Sequence, residues 1–319
     1  MNSDITNDLI RVNPLTKLIY RRISIAKYNE LRSSRKSNHI DLFEIIRLET
    51  RTRCNGRCNF CPCAIQYETR PDVKMTGECF RKIIDELAYI KYDGHIQMYI
   101  NNEPLIDKRI VEFLSYIKLK NLNLRGICIA TNGLALTLKL GTELFENGLT
   151  WLIVNDYSMD GSPSKKLEDV VGMLRKRFPD RRIELAQRSV HEVLSNRAGG
   201  HSPNNPTKVS LNSACTYPLR QMNITANGNV GLCCQDIYVN TPLGNVMQNS
   251  LTEIWNGNNY ANFRKNLSRG DRQQYELCKY CDFRGYTVGP QKRKWACFAL
   301  GRLADFLLEK QKQIVKSDA

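Results

Sequence analysis

Short apolar runs alternate with stretches of helical periodicity from Phe43 to Ala186, and this alternation restricts the fold more than any other feature. Phe43–Leu48, Ile96–Ile100, Gly126–Ala130, Trp151–Val154 and Ile183–Ala186 read as strands. Phe80, Ile83, Ile84 and Leu87 mark a helix over 76–92 with Thr76 as its N-cap. Ile110, Phe113, Leu114 and Ile117 mark a second, and helices over 136–146 and 165–177 follow. Strands joined through helices pair in parallel by right-handed crossovers, so the fold is α/β, either a doubly wound sheet or a β/α barrel. Both architectures bind ligands at the carboxyl ends of the strands. There the chain places a cysteine-rich loop, Asn101-Asn102-Glu103-Pro104, Thr131-Asn132-Gly133 and Asn155-Asp156-Tyr157-Ser158. Any one of these loops is an ordinary turn; four at one mouth point to a cofactor site.

The cysteine-rich loop carries the chemistry. Cys54, Cys58 and Cys61 are spaced C-x3-C-x2-C, with Phe60 before the third and Cys63 close behind. Three thiolates on one short loop hold three irons of a cubane and leave the fourth open to a ligand. Zinc, with Cys63 as a fourth ligand, is the alternative, though structural zinc favours paired knuckles. No apolar run approaches the ~20 residues that span a bilayer, and the N-terminus lacks a basic-then-apolar signal. The expected location is therefore the cytoplasm, where thiols stay reduced and clustered cysteines read as metal ligands.

On these residues the chain resembles the radical S-adenosylmethionine (SAM) enzymes. The resemblance implies a partial (β/α)6 TIM-like barrel over 43–200. Cys54, Cys58 and Cys61 would ligate a [4Fe-4S] cluster whose open iron chelates SAM. Glu103 corresponds to the acid of the family's Gly-Gly-Glu motif and would hold the SAM amino group, although Asn101 and Asn102 replace both glycines. Asn132 would contact the ribose or methionine part. Cys63 has no slot in the motif and reads as a free thiol.

Cys215, Gly228 and Cys233, with twelve and four residues between them, match the C-x(9–15)-G-x4-C signature of the SPASM and Twitch extensions of this superfamily. Asn227-Gly228-Asn229 supplies a hairpin turn between 222–225 and 230–233, and Cys278-Lys279-Tyr280-Cys281 closes the set. The resemblance thus implies a small C-terminal iron–sulfur (Twitch/SPASM-like) domain over 201–290. One auxiliary [4Fe-4S] cluster would be held there by Cys215, Cys233, Cys278 and Cys281. Fully ligated, it would carry electrons and would not bind substrate. Cys234 must point elsewhere and reads as a buried thiol; a zinc ribbon is the alternative for the set.

The pattern looks most like enzymes of the 2-deoxy-scyllo-inosamine dehydrogenase type. That likeness implies a radical SAM oxidoreductase acting on a small polar substrate, a sugar, cyclitol or aminoglycoside-type alcohol. The auxiliary cluster would take the second electron, and an external one-electron reductant of flavodoxin or ferredoxin type would feed the first. No general base is assigned, since none of His39, His95, His191 and His201 sits in a motif. Arg188, near a strand end, is a candidate partner for an anionic group. Other readings are a SPASM-type peptide-modifying maturase and a zinc-stabilised nucleic-acid-binding protein.

The last of these rests on a formal net charge of +15 over 319 residues. Most of the excess lies in a basic N-terminal extension, 1–42, and in an expected C-terminal basic helix, 291–319. No aromatic-interleaved basic stretch supports base stacking, so both ends read as solvated faces, with neither nucleic acid nor membrane as partner.

Overall fold

The computed structural model describes residues 42–283, apart from 158–163, 189–192, 194, 207, 209–210, 212–213, 216 and 241. The expected N-terminal extension, but for Leu42, and the expected C-terminal helix lie outside the described residues, as do Ser158, His39, His191 and Cys297.

The alternation expected from the sequence is present: β1 (Ile45–Leu48), α1 (Gly77–Tyr89), β2 (His95–Gln97), α2 (Ile110–Leu119), β3 (Gly126–Thr131), α3 (Leu138–Glu146), β4 (Trp151–Asp156), α4 (Lys165–Arg177) and β5 (Arg182–Gln187). Capping explains the helix starts. The Thr76 side chain accepts from the Cys79 amide at 3.1 Å, and that of Thr137 from the Leu140 amide at 3.1 Å. β2 stops at Gln97, short of the expected Ile100, where the chain turns toward Asn101-Asn102-Glu103.

A sixth parallel strand comes from the cysteine-rich C-terminal part. β6 (Gln221–Ile224) pairs with the free side of β1, Arg47 opposite Asn223, and leads through a turn into antiparallel β7 (Asn229–Gly231) and β8 (Pro242–Asn245). The sheet order is β5-β4-β3-β2-β1-β6-β7-β8, so the barrel strands and the C-terminal hairpin share one open sheet. The hairpin turn is the one read from the sequence. Gly228 has φ +81°, a left-handed conformation that glycine adopts without a Cβ penalty.

Successive side chains of a strand face opposite sides, so register sorts the sheet into two faces. One is apolar over its first rows: Met222, Ile46, Ile96 and Ile127 lie along it, with Ile224, Leu48, Met98, Ile129, Leu152 and Ile183 in the next row. All are buried, against Phe80, Ile83 and Leu87 of α1, Phe113 and Leu114 of α2, Phe145 of α3 and Leu174 of α4. The C-terminal helices extend this layer. α5 (Leu251–Asn256), started by a Ser250–Glu253 capping box, brings Trp255 edge-on to Phe43 at 5.4 Å, and α6 (Asn258–Arg269) brings the Tyr260 hydroxyl to the Gln221 carbonyl at 2.7 Å. A four-residue turn, α7 (Glu276–Lys279), ends the described fold. The other face of the sheet is polar, and it is where the site lies.

Candidate functional site

The loop of Cys54, Cys58 and Cys61 follows β1 and folds around Gly56. The Gly56 amide donates to Cys54 Sγ at 3.3 Å, and the Ile65 amide returns to the Gly56 carbonyl at 3.0 Å. A Cβ at Gly56 would lie 3.3 Å from Cys54 Sγ and 3.9 Å from Cys58 Sγ, so glycine keeps open the space that the two sulfurs share. Burial pushes the Cys54 thiol up to about 12. Cys61 is drawn down to about 6, chiefly by a hydrogen bond from the Cys63 thiol, with Arg197 and Arg70 adding to the pull against burial. Cys63, 1% exposed, is the up-shifted member of that pair.

Glu103 and Asn132 meet beside this loop. Glu103 Oε1 accepts from the Thr131 hydroxyl at 2.7 Å and the Leu105 amide at 3.0 Å, and Oε2 from the Asn132 amide at 2.7 Å. The Asn132 side-chain amide then donates to Asn55 Oδ1 at 2.8 Å and stands 3.8 Å from Cys54 Sγ. Glu103 is thus a buried strut between the ends of β2 and β3, with one acceptor position left on Oε2. Burial pushes its carboxyl up while the three donors pull it back. Asn101 and Asn102, where glycines were expected, avoid left-handed φ, so the tight turn needs no glycine here.

Several buried charges around this mouth are absent from the motifs. Glu49, wholly buried, pairs with Arg70 at 3.0 Å; Arg70 also pairs with Glu68 at 2.8 Å and donates to the Asn101 carbonyl at 2.7 Å. Glu49 Oε2 lacks a hydrogen bond of good geometry, and burial raises the Glu49 carboxyl against the pull of Arg70 and of the Asn101 backbone amide. The Arg197 guanidinium reaches Asn101 Oδ1 and the Cys234 carbonyl, each at 3.4 Å. Arg188, expected as an anion partner, uses its backbone amide on the Asp156 carbonyl at 2.7 Å. His95 is half-buried on β2 and His201 stacks edge-on with Tyr238; neither joins the cysteine loop.

The second cysteine set gathers across the C-terminal part. Cys215 is tied by its amide to the Leu267 carbonyl at 2.9 Å, Cys233 follows β7, and Cys278 and Cys281 lie in and just after α7. Cys233 responds electrostatically to Cys278, Cys215 and Cys281, so the four thiols share one locale, and none is in a disulfide. Burial pushes all four up, Cys281 to about 11; Arg272 pulls Cys215, Cys278 and Cys281 the other way. Arg272 is 1% exposed and donates to the Phe283 carbonyl at 2.7 Å, a fixed cation beside sites that become thiolates once they bind metal. Among the described residues, no three His, Cys, Asp or Glu side chains converge on the position of a single ion. A cubane takes ligands set wider than a single zinc does.

The polar face of the sheet lies below the mouth. One row crosses all six parallel strands: Asn223, Arg47, Gln97, Cys128, Trp151 and Arg182. Its first four members are buried, yet Asn223 Oδ1 and Nδ2, Arg47 Nε and Gln97 Oε1 have no hydrogen-bond partner.

Comparison with known proteins gives this geometry a context. Residues 48–191 match the radical SAM superfamily, and residues 215–282 match the SPASM iron–sulfur cluster-binding domain. An S-adenosyl-L-methionine-dependent 2-deoxy-scyllo-inosamine dehydrogenase from Niallia circulans is 29% identical over 245 residues, 76% of this chain and 93% of that protein. The crystal structure of BtrN in complex with AdoMet and 2-DOIA is 27% identical, with TM-score 0.67 over 79% of this chain and 96% of that one. An open conformation of BtrN, at 24% identity and TM-score 0.56 over 76% and 93%, shares the fold. Among the described residues no helix is long and apolar enough to cross a membrane.

Proposed function

Because the chain belongs to the radical SAM superfamily and carries a C-terminal SPASM domain, we propose that it oxidises a secondary alcohol of a small polar sugar- or cyclitol-type substrate. Its cofactors are a [4Fe-4S] cluster with SAM and auxiliary iron–sulfur chemistry in the SPASM domain. When bound, they supply a 5′-deoxyadenosyl radical able to take hydrogen from an unactivated C–H bond, and an acceptor for the electron left behind.

The chain's own residues take defined parts in this reading. Cys54, Cys58 and Cys61 hold the SAM-binding cluster around the space kept by Gly56, and Cys215, Cys233, Cys278 and Cys281 hold the auxiliary one beside Arg272. Glu103 offers its remaining acceptor position to the SAM ammonium, and Asn132, fixed by Glu103 and Asn55, orients the edge of the cofactor. Oxidation removes one hydrogen atom from the carbinol carbon, one proton from its hydroxyl and one electron. Glu49 takes the proton: it continues the alternation of β1 on the polar face, and its Oε2 is buried and lacks a hydrogen bond of good geometry. Burial raises this carboxyl, which makes it a better proton acceptor than an ordinary carboxylate. Tyr217 and Cys234, both buried, act electrostatically on both Arg47 and Arg197 and so lie near this face.

The observation that carries this reading is the convergence of Glu103, Asn132 and Cys54 at one strand-end mouth that opens over a polar sheet face. It is tested by anaerobic reconstitution. The wild-type chain should bind roughly eight irons and sulfides for two cubanes and form 5′-deoxyadenosine from SAM under reduction. Stoichiometric zinc, or no SAM cleavage, would refute it. An external flavodoxin- or ferredoxin-type reductant belongs to the same proposal; it is tested by replacing dithionite with either protein.

A further inference from the structure

Arg47 sits on β1 in the polar row, between Asn223 and Gln97, and is 7% exposed. Among the described residues its side chain makes no ion pair and no hydrogen bond, its buried Nε being unpartnered, and its guanidinium carbon lies 5.6 Å from the centre of the Tyr99 ring. The titratable groups that act on it most strongly are Cys234, Tyr99, Tyr217 and Cys128, none of them a carboxylate. None is among the seven cysteines assigned to clusters either. Arg197 differs, since Cys61 heads the thiols around it, so the negative charge of a cluster-bearing loop offsets that guanidinium. Among the described residues no carboxylate pairs with Arg47; the Glu49 carboxylate, two residues along the same face, is itself paired with Arg70.

A buried cation without a partner is among the costliest features a fold can retain, and ordinary packing supplies an apolar alternative at such a position. Its neighbours across the sheet, Gln97 and Asn223, share the anomaly: each is buried and each holds polar atoms with no partner. Three adjacent strands therefore present a cation flanked by two amides at a single level of the polar face. Two residues along β1 toward the mouth, about 6–7 Å at the usual rise, stands Glu49. A planar guanidinium between two carboxamides matches an oxyanion bound at two of its oxygens, with neighbouring hydroxyls read by the amides.

Resting on the reading above, we propose that the substrate of this chain carries an oxyanion, a carboxylate or phosphate, which Arg47 binds at the floor of the polar face between Gln97 and Asn223. The alcohol to be oxidised then faces Glu49 and the cysteine loop. This separates the chain from its inosamine-oxidising relative, since an inosamine carries an amino group, cationic at neutral pH, that a buried arginine would repel.

The test is a titration of the anaerobically reconstituted full chain with SAM bound, in phosphate-free buffer, using D-glucuronate, D-glucose 6-phosphate, myo-inositol and 2-deoxy-scyllo-inosamine as probes. At least one of the two anionic probes should bind tenfold or more tightly than both others, and which one it is distinguishes carboxylate from phosphate. Arg47→Gln should weaken that probe at least tenfold, about 1.4 kcal/mol. The same substitution removes an uncompensated buried charge, so the thermal midpoint of the probe-free protein should hold or rise. The proposal is overturned if inosamine or inositol binds as tightly as the anions, if Arg47→Gln leaves the anion affinity unchanged, or if it lowers the midpoint, which would make Arg47 structural. Because binding needs no turnover, these outcomes are independent of SAM cleavage by the wild type, whose absence would instead refute the enzymatic reading.

Discussion

Replacing Glu103 by Gln probes the strut that joins the strand ends to the cysteine loop. The carboxylate accepts three hydrogen bonds, from Thr131, Leu105 and Asn132, at 2% exposure. A carboxamide has one oxygen and one NH2, so it cannot satisfy all three donors. With its oxygen toward Thr131 and Leu105, its NH2 confronts the Asn132 amide. Flipped, it can accept from Asn132 and donate to the Thr131 hydroxyl, but the Leu105 amide is stranded. Either way one buried N–H is left unpaired, at about 1–3 kcal/mol, and the two surviving bonds each lose about 1 kcal/mol of charge assistance. Relief from burying a charge returns part of this, for a net loss of about 2–4 kcal/mol. For a domain of this size that lowers the thermal midpoint by at least about 4 °C. The measurement is differential scanning calorimetry of wild type, Glu103→Gln, Thr131→Val and the double variant. The two changes share a bond, so their effects should be less than additive. A midpoint within about 1 °C of wild type for Glu103→Gln, or strict additivity, would show that the strut does not exist as described.

Gly56→Ala should leave the protein folded but halve its iron, because the added methyl reaches 3.3 Å from Cys54 Sγ; iron analysis and the electron paramagnetic spectrum of the reduced protein with SAM check this. Replacing Cys278 and Cys281 by Ala should also remove about half the iron, yet spare 5′-deoxyadenosine formation while blocking substrate oxidation, read by chromatography of both products. Glu49→Gln should lower substrate oxidation on the order of 100-fold. In the wild type, Glu49 protonates as pH falls through its raised value, so the rate should drop on an acidic limb above the ordinary carboxyl range, and the variant should lack that limb. Asp107 is held down by Arg109 at 2.7 Å, so its stabilising contribution is present at neutral pH and is lost as pH falls through its depressed value. Asp107→Asn should therefore cost about 1 kcal/mol at pH 7 in urea unfolding, after allowance for screening of the half-exposed arginine, and the difference should close toward pH 3.

The elements and the cysteines were legible for different reasons. Helix periodicity with Thr76 as cap placed α1, and Asn227-Gly228-Asn229 placed the hairpin, because both signals are local. The pairing of β6 with β1 was not legible, since it joins residues far apart in the chain, and nothing within Gln221–Ile224 names its neighbour. The spacing of Cys54, Cys58 and Cys61 identified the loop, but Glu49, Arg70 and Arg197 belong to no motif and meet it only through the fold. Asn101 and Asn102 show the reverse case. A departure from the family motif looked like a constraint on the backbone, and the backbone there proves ordinary.

The polar face, however, left a signal that was available from the start. Parallel strands covered on both faces run continuously apolar, whereas strands with one face toward solvent or ligand alternate. Here Ile46-Arg47-Leu48-Glu49, Ile96-Gln97-Met98-Tyr99, Ile183-Glu184-Leu185 and Met222-Asn223-Ile224 all alternate. Alternation alone means solvent on one side, and at β5, where Arg182 is exposed, that reading is sufficient. At Arg47, Gln97 and Asn223 it is not, because the alternating positions are themselves buried. Strands patterned for a polar environment yet buried at these positions must meet polarity from another source. On the proposal above a bound polar molecule supplies it, and Arg47, the charged member of that buried trio, sets the sign of the molecule it receives.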